Sequence, residues 1–459
     1  MNVPPNSAAA LFLAAIAVAG CSDVAPPDSP LPAALPEAAG EPPAPAEQSI
    51  ATAVLAGHVS PDTDPQFIRA VQRVDELGGS FQYDDAGRLV AIDLASGRVS
   101  IGGADLQHVA VFPNVERLRF ASSDATNSDI AVLDRMRGLR ELAVRHTQMD
   151  TRGLEQLTGL DQLESLDLQR SARLDDEALA LVGRFPRLRE LVLIDGPFSD
   201  AALAHLKTVP QLQRLDLRGC SRIGAAGLEH LTELPDLRVV RLGGAAIDDA
   251  CLAVVRQIPG LRALAIEDAS VTDAGLAQLE DLPLVDLSLA RCFSITDDAF
   301  ATIARLDRLQ QLYVRDMLIS GSSLDYLRAL SELNSLRLRQ TGVGDAALDH
   351  LQGLKSLRRL ELSSGLISDD GLPAIGRLIG LNQLELEDSR LSDAGVEHLA
   401  QLDQLELLNL ARNDGIGDGS IPVLAGLKNL RQLDLTGTSI SQQGAQELRE
   451  QLPGCEVRR

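Results

Sequence analysis

The side chains of this chain that could do chemistry recur at fixed, equivalent positions. Four histidines each lie directly before a leucine that recurs at regular intervals along the chain: His205, His230, His350 and His398. Aspartates also recur, in Ser/Thr-Asp pairs such as Ser368-Asp369. Imidazole and carboxylate groups bind metals and transfer protons, but both kinds of site need several groups that converge. Because each group here recurs once per repeat, we predict no metal site, no catalytic constellation and no cofactor.

The cysteines other than Cys21 also fit a structural role. Cys220 and Cys292 occupy the same repeat position three units apart. Strand spacing then separates them by roughly 14 Å, which exceeds the reach of a disulfide. We predict that these two, Cys251 and Cys455 are small buried thiols in small-residue positions. A redox or nucleophilic role is the alternative.

All of these residues lie within a regular leucine pattern, which determines their place in the fold. The motif L-x-x-L-x-L, or a conservative variant, begins at Val115, Leu139, Leu163, Leu188, Leu212, Leu237, Leu261, Leu284, Leu309, Leu333, Leu357, Leu381, Leu405 and Leu430. The starts are 23 to 25 residues apart, a regularity that is the signature of a repeat solenoid. The alternation L-x-L predicts a strand, and leucines three residues apart predict a short helix. Each unit is therefore predicted as strand, turn, short helix and return.

The Ser/Thr-Asp pairs lie between the predicted strand and helix of a unit. Four clear examples are Ser199-Asp200, Thr272-Asp273, Ser368-Asp369 and Ser392-Asp393. Oxygens at this point accept hydrogen bonds from the free N–H groups of the first helical turn, and Asp suits the positive helix end. We predict that all of them are helix caps. The alternative, a calcium site, requires the denser clustering of carboxylates that the chain lacks.

From about Ala91 to the C-terminus the pattern resembles the leucine-rich repeat family. The segment from Leu217 to Ile223, which contains Cys220, resembles the cysteine-containing subtype, and Ile247 to Leu252 resembles the bacterial GALA-like subtype. The resemblance implies an α/β solenoid, an arc with parallel β-strands on its concave face and short helices on its convex face. It also implies a binding surface. The cysteine subtype is familiar from F-box proteins, but nothing N-terminal to Val115 resembles an F-box.

The N-terminus contains an apolar run, Ala8 to Gly20, of the size of a signal-peptide core. Its end, Val-Ala-Gly-Cys21, resembles a bacterial lipobox. The resemblance implies that Cys21 is the lipid attachment residue, and Ser22 after it implies the outer membrane. The alternative is an alanine-rich leader with a coincidental cysteine, since the first seven residues contain no Lys or Arg. We expect a lipid-anchored protein of the bacterial cell envelope.

These patterns divide the chain into four predicted segments. Residues 1–20 are a lipoprotein-type signal peptide, and residues 21–50 are a Pro/Ala-rich disordered tether. Residues 51–114 form an N-terminal cap of a helix from Pro65, a hairpin and a degraded repeat. Residues 115–459 are the solenoid, which a half-strand around Val457 closes. Solenoids need such caps to cover their terminal apolar faces.

Charge and strand alternation indicate the partner class. The net charge of −23 excludes nucleic acid as a general partner, because phosphate binding needs clustered positive charge. Strand residues between the leucines point to the concave face, where five side chains form a candidate patch: Tyr313, Arg315, Arg337, Arg339 and Arg359. Tyr and Arg are favoured interface anchors, which predicts an acidic or carboxylate-bearing protein partner. The alternative is a solvated arginine strip that pairs with neighbouring acids.

The sequence therefore predicts a non-catalytic, membrane-tethered protein–protein interaction module that uses its concave surface. One alternative is a structural component of the envelope. The other is a cytoplasmic or secreted effector or ligase-adaptor subunit. The membrane contact in the first function is the lipid anchor at Cys21.

Overall fold

The computed structural model describes residues 65–84, 88–95, 101–112, 114–122, 124–363 and 365–459. The predicted signal peptide, Cys21, the predicted tether and the first part of the predicted cap lie outside the described residues. Those described all belong to one compact unit, Pro43–Arg459. None of the helices in this part of the chain has the length and apolar character that a membrane crossing requires.

One sheet of seventeen strands runs the length of the described chain. The strands are β1 (Ser80–Tyr83), β2 (Leu89–Asp93), β3 (Arg117–Ala121), β4 (Glu141–Arg145), β5 (Ser165–Asp167), β6 (Glu190–Val192), β7 (Arg214–Leu217), β8 (Val239–Gly243), β9 (Ala263–Glu267), β10 (Asp286–Ala290), β11 (Gln311–Arg315), β12 (Ser335–Arg339), β13 (Arg359–Ser363), β14 (Gln383–Glu385), β15 (Leu407–Asn409), β16 (Gln432–Asp434) and β17 (Glu456–Arg458). Strands β1 and β2 pair antiparallel. Every later neighbouring pair, from β2–β3 to β16–β17, is parallel.

The parallel register places equivalent residues of successive repeats side by side. Leu287 of β10 lies beside Leu312 of β11, which lies beside Leu336 of β12. The strand leucines therefore stack into one continuous buried surface. The sheet is open, and the predicted solenoid with parallel strands is confirmed.

Short helices connect the strands on the other side of the core. The α-helices are α1 (Pro65–Glu76), α2 (Gly103–Val109), α3 (Asn127–Ile130), α4 (Thr151–Glu155), α5 (Asp176–Val182), α6 (Asp200–Leu203), α7 (Ala225–Leu228), α8 (Asp249–Val255), α9 (Asp273–Leu276), α10 (Ala299–Ile303), α11 (Leu372–Ile375), α12 (Asp393–Val396), α13 (Ile421–Gly426) and α14 (Gln442–Gln451). Helices of the 3-10 type cover Ala131–Arg135, Ala204–Thr208, Glu229–Glu233, Ala277–Leu279, Gly321–Ala329, Asp345–Gly353, Asp369–Gly371, Glu397–Leu399 and Asp418–Ser420. Helices this short depend on the packing of their apolar face.

The repeated leucines form one core along the stack. In the repeat that begins at Leu139, the side chains of Leu142, Leu154, Leu157 and Leu160 are almost fully buried. Complete burial of a leucine contributes about 1.5 to 3 kcal/mol relative to an exposed one. Because each repeat buries its leucines against its neighbours, no repeat has a core of its own.

Both ends of the core are covered. Helix α1 begins at Pro65, as the sequence predicts, and buries Ala70 and Val74. The ring of Phe67 packs edge-on against Phe112 at 5.0 Å between centroids, next to the β1–β2 hairpin. At the other end, β17 places Val457 beside Leu433 of β16. This is the half-strand that the sequence predicts at the C-terminus.

The aspartates of the Ser/Thr-Asp pairs bind the next repeat, which corrects the prediction that they cap their own helices. The carboxylate of Asp369 accepts hydrogen bonds from the backbone N–H and the hydroxyl of Ser392, at 2.8 and 2.5 Å. The same pairing links Asp176 to Ser199, Asp249 to Thr272, Asp273 to Thr296, Asp297 to Ser320 and Asp345 to Ser368. We call these five aspartates and Asp369 the aspartate ladder. It arises because stacking places the free N–H of the following Ser or Thr above each carboxylate.

The Ser and Thr residues that bind the aspartate ladder differ in whether they also cap their own helix. Thr272, Ser368 and Ser392 accept a hydrogen bond from the first turn of their own helix, as predicted. Ser199 makes no such bond, and its hydroxyl instead donates to Asp176. Burial raises the pKa of the Asp176 carboxyl, but the hydrogen bonds from Ser199 outweigh it and hold that pKa below its usual range.

Glycine in the Asp-Ala-Gly pattern makes room for this ladder. A Cβ atom on Gly275 would lie 2.1 Å from Oδ1 of Asp249, and one on Gly395 would lie 2.2 Å from Oδ1 of Asp369. Both distances are far inside van der Waals contact. The recurring glycine is therefore explained by the carboxylate of the preceding repeat.

Four repeats are 25 residues long, those that begin at Leu163, Leu212, Leu284 and Leu405. A buried polar residue occupies the same position in each of them. The residues are Ser171, Cys220, Cys292 and Asn413, all 0–1% exposed. The Cys220 thiol donates to the carbonyl of Leu193 at 3.1 Å, and the Asn413 amide donates to Leu386 at 2.8 Å. Burial raises the pKa of the Cys220 and Cys251 thiols to about 11. Cys455, predicted to be buried, is partly exposed because it lies in the last turn before β17.

Candidate functional site on the concave face

The five predicted patch residues lie on three neighbouring strands of the concave face. Tyr313 of β11 is in register with Arg337 of β12, and Arg337 is in register with Glu361 of β13. Arg315 and Arg339 form the next row, and Arg359 opens β13. The structure therefore brings together all five residues. It also adds Glu361, which was not among the residues predicted from the sequence.

Glu361 holds two arginines of the patch in place. Its carboxylate lies 2.5 Å from Nε of Arg337 and 3.0 Å from Nε of Arg339, and its side chain is 3% exposed. The Arg337 guanidinium carbon lies 4.5 Å from the centroid of the Tyr313 ring, a cation–π contact. The patch is thus a packed layer, and its positive charge is partly compensated from within.

Glu267 of β9 connects a second group of arginines. Its carboxylate pairs with Arg218 of the β7–β8 repeat at 3.2 Å, with Arg315 of β11 at 3.1 Å, and with Arg291. Gly243 and Ala290 flank Glu267 in the two neighbouring strands. Because these neighbours are small, arginines from two strands away can reach over them.

The remaining patch arginine is also paired. Arg359 lies 2.8 Å from Glu385 of β14. All four arginines therefore meet acids of the same chain, as the alternative of an internally paired arginine strip predicts. A guanidinium carries five N–H donors, however, and the Nε of both Arg315 and Arg359 is buried without a hydrogen-bond partner. Because these Nε atoms are buried, only the exposed N–H donors of the guanidinium groups can contact a partner.

Asp286, at the start of β10, is a concave-face acid that sequence reasoning missed. It occupies the same strand position as Arg359 of the patch, directly before the first leucine of its L-x-L motif, but was not among the residues selected from the sequence. Partial burial raises the pKa of the Asp286 carboxyl to about 6, against the smaller opposing effect of Arg241 and Arg337. When this carboxyl group is ionised at neutral pH, its partial burial lowers the stability of the folded protein.

We expect Asp286→Asn to stabilise the fold at pH 7.5 by about 2 to 3 kcal/mol, since one pH unit of pKa shift corresponds to roughly 1.4 kcal/mol. The folded pKa lies above the ordinary value of 3.8, so folding takes up a proton between these values. The ionised carboxylate therefore lowers the free energy of unfolding by its full amount above about pH 6, and has no such effect below about pH 4. Urea unfolding at pH 7.5 and pH 4 measures both values.

The exposed residue Asp349 provides the matched control for this substitution. Asp349 is 73% exposed in its side chain, so Asp349→Asn should change the unfolding free energy by less than about 1 kcal/mol. A loss of stability in Asp286→Asn at pH 7.5 would contradict this description of the carboxylate.

The histidines lie on the helix side, away from the patch. His205, His230 and His350 are partly exposed and His398 is exposed. The Nδ1 atom of His350 lies 3.2 Å from Oδ1 of Asp325. Across the described ranges, no group of three or more His, Cys, Asp or Glu side chains could hold a metal ion.

Solved structures share this architecture at low sequence identity. An internalin from Listeria monocytogenes is 19% identical over 89% of this chain and 92% of its own, with a TM-score of 0.41. A leucine-rich repeat protein of Leptospira interrogans is 18% identical over 79% of this chain and 96% of its own, with a TM-score of 0.45. TLR13 in a complex with ssRNA13 is 18% identical over 80% and 62% of the two chains, with a TM-score of 0.50.

No protein-family profile and no curated protein matches the sequence. The fold rests on the structure itself, with its parallel in-register leucines, and on the likeness to TLR13. Identities below one fifth carry the fold alone. The chain has the leucine-rich repeat fold.

Proposed function

We propose that this chain is a non-catalytic interaction module that binds a protein partner on the concave face between β10 and β13. The observation that carries the proposal is the arginine patch itself. Glu361 and Glu385 hold its side chains in set positions, while the side chains of Arg339 and Arg359 stay partly exposed. Side chains that are ordered before binding lose little entropy in a complex.

We further propose that the partner places an acidic group against Arg339 and Arg359. These two are the more exposed patch arginines, with side chains 33% and 27% exposed. A partner carboxylate would use their spare donors and leave the internal pairs intact. The single-stranded RNA in the TLR13 structure is a property of that protein. Here the internal acids leave too little uncompensated positive charge for a phosphate backbone.

Capture from an extract of the cells that make the protein tests the binding face. The concave variant carries Arg337→Glu, Arg339→Glu and Arg359→Glu. The control carries Arg305→Glu, Arg328→Glu and Arg377→Glu on the helix side, where each arginine also has one acidic partner. We expect the concave variant to lose at least about tenfold in capture, equivalent to about 1.4 kcal/mol, and the control to lose none. Equal capture by both variants would remove the patch from the proposal.

The site of display is a separate proposal. We propose that Cys21 carries a lipid and that the Pro/Ala-rich segment after it holds the solenoid at the bacterial cell envelope, on the outer membrane. The Val-Ala-Gly-Cys sequence supports the proposal. Metabolic labelling with a fatty-acid analogue should mark the full chain and leave Cys21→Ala unmarked. Equal labelling of both chains, or of neither, would refute lipidation at this residue.

A further inference from the structure

Asp286 differs from the other strand acids of the central concave face. Strands β7 to β14 contain five acidic residues: Asp216, Glu267, Asp286, Glu361 and Glu385. Four of them pair with arginines at 3.5 Å or less. Within the part of the chain that the structure describes, Asp286 has no side-chain hydrogen bond and no ion pair. A partly buried carboxylate without a donor is uncommon, because burial of an unpaired charge is costly.

The two strands next to Asp286 supply no counter-ion. Its register neighbours are Ala263 of β9 and Gln311 of β11, and Ala265, Ser288 and the ring of Tyr313 occupy the next row. On these adjoining strands, all within the described residues, no basic side chain faces it from the same row or the next. The residues around the carboxylate on these strands are therefore uncharged, and three of them, Ala263, Ala265 and Ser288, are small.

The nearest arginines are bonded to other acceptors. Arg241 of β8 lies 3.5 Å from Asp216, and Arg337 of β12 lies 2.5 Å from Glu361. Arg262, whose backbone carbonyl accepts a hydrogen bond from the Asp286 N–H, directs its guanidinium to Pro283 at 3.1 Å. Each of these three guanidinium groups thus binds another acceptor, and among the described residues none forms an ion pair with Asp286.

We propose that Asp286 is the receptor for a basic side chain, lysine or arginine, that the protein partner inserts into the centre of the concave face. A carboxylate accepts hydrogen bonds only, so its missing counterpart is a donor, and a cationic donor makes the strongest such bond. The small side chains at Ala263, Ala265 and Ser288 leave room for it. The inference rests on the proposed binding of a partner to this face.

Asp286 and the arginine patch together predict the distance between two charged groups of the partner. Strands β10 and β13 are three sheet steps apart, which places Asp286 and Arg359 roughly 14 Å from each other. The partner would therefore carry a basic group and an acidic group at about that separation. A single carboxylate with no second ligand nearby does not suit a metal ion, and its charge excludes an anion.

The carboxylate can be tested without the partner. The probe is n-butylguanidinium, an analogue of the arginine side chain, added to the full chain in which aspartate side-chain carboxyls are labelled with carbon-13. Asp286→Asn assigns the Asp286 signal by its loss. Because a bound cation favours the ionised form, the titration midpoint of Asp286 should fall by about half a pH unit or more. Sodium chloride at the same ionic strength should leave it within about a tenth of a unit of its value in buffer.

Equal midpoints in the two salts would overturn the inference. The outcome is separable from that of the proposed function, because the concave arginine variants test partner binding independently. If those variants lose capture while n-butylguanidinium leaves Asp286 unchanged, the partner binds here without a basic group at this residue. If Asp286 responds but the arginine variants capture normally, the carboxylate binds cations and the proposed arginine patch fails.

Discussion

Asp369→Ala is expected to lower the free energy of unfolding by about 2 to 4 kcal/mol. The substitution removes two hydrogen bonds to a charged acceptor, each worth about 1.5 to 3 kcal/mol, and leaves the Ser392 N–H without its partner. The lost contact joins two repeats, and a solenoid derives its stability from such interfaces. Urea unfolding followed by circular dichroism measures the change.

Asp349→Ala is the matched control for this prediction. Asp349 lies on the same side of the stack, and its contact with Arg377 at 2.5 Å joins side chains that are 73% and 54% exposed. Exposed ion pairs contribute about 0 to 1 kcal/mol. Asp369→Asn, which keeps one acceptor oxygen, should fall between the two alanine variants. Equal losses in Asp369→Ala and Asp349→Ala would show that the ladder does not hold the repeats together.

Exchange of one ion pair should separate folding from binding on the concave face. Arg359→Glu alone places a second carboxylate against that of Glu385, and this like-charge contact should cost about 1 to 3 kcal/mol. The double variant Arg359→Glu/Glu385→Arg restores the pair in reverse. Arg359 and Glu385 suit this exchange because each has the other as its ion-pair partner among the described residues.

The double variant is expected to recover most of the stability but not the binding. The partner meets a reversed charge pattern, so its capture should remain at least about tenfold weaker, which corresponds to about 1.4 kcal/mol. Thermal unfolding and capture are measured on the same preparations. Recovery of capture together with stability would mean that this ion pair serves the fold alone.

The leucine pattern was sufficient to predict the core because burial repeats with the chain. Strand and helix positions such as Leu142 and Leu154 could be assigned from spacing, since each period has one physical cause. The cap helix from Pro65 and the final strand at Val457 followed from local signals as well. These predictions used only the spacing of residues within a single repeat.

Contacts between repeats could not be predicted in the same way. Asp369 lies just before α11, so its position alone suggested a cap, whereas stacking aims the carboxylate at Ser392. The glycine of the next Asp-Ala-Gly segment was the overlooked signal, because Gly395 has a physical reason only if the carboxylate lies against it.

The acids of the candidate site were missed for a related reason. Glu361 and Glu267 lie at the same strand positions as the selected Arg337 and Arg315. Their pairing with arginines becomes visible only when equivalent strand positions are aligned across repeats. Asp286 lies at the same repeat position as Arg359 and was overlooked because only basic and aromatic side chains were selected for the patch. Alignment of all three outward positions of each strand would have shown all of these acids, though not which arginine each one binds.

Site-specific photo-crosslinking tests the central claim, that the concave face binds a protein. A photoreactive phenylalanine replaces Gln311, which lies on β11 between Asp286 and Ser335, or Asp349 on the helix side. We predict a crosslinked protein product from position 311 and none from position 349 after irradiation in the cell extract. A product from position 349 with none from position 311 would contradict the claim and place the binding surface on the helices.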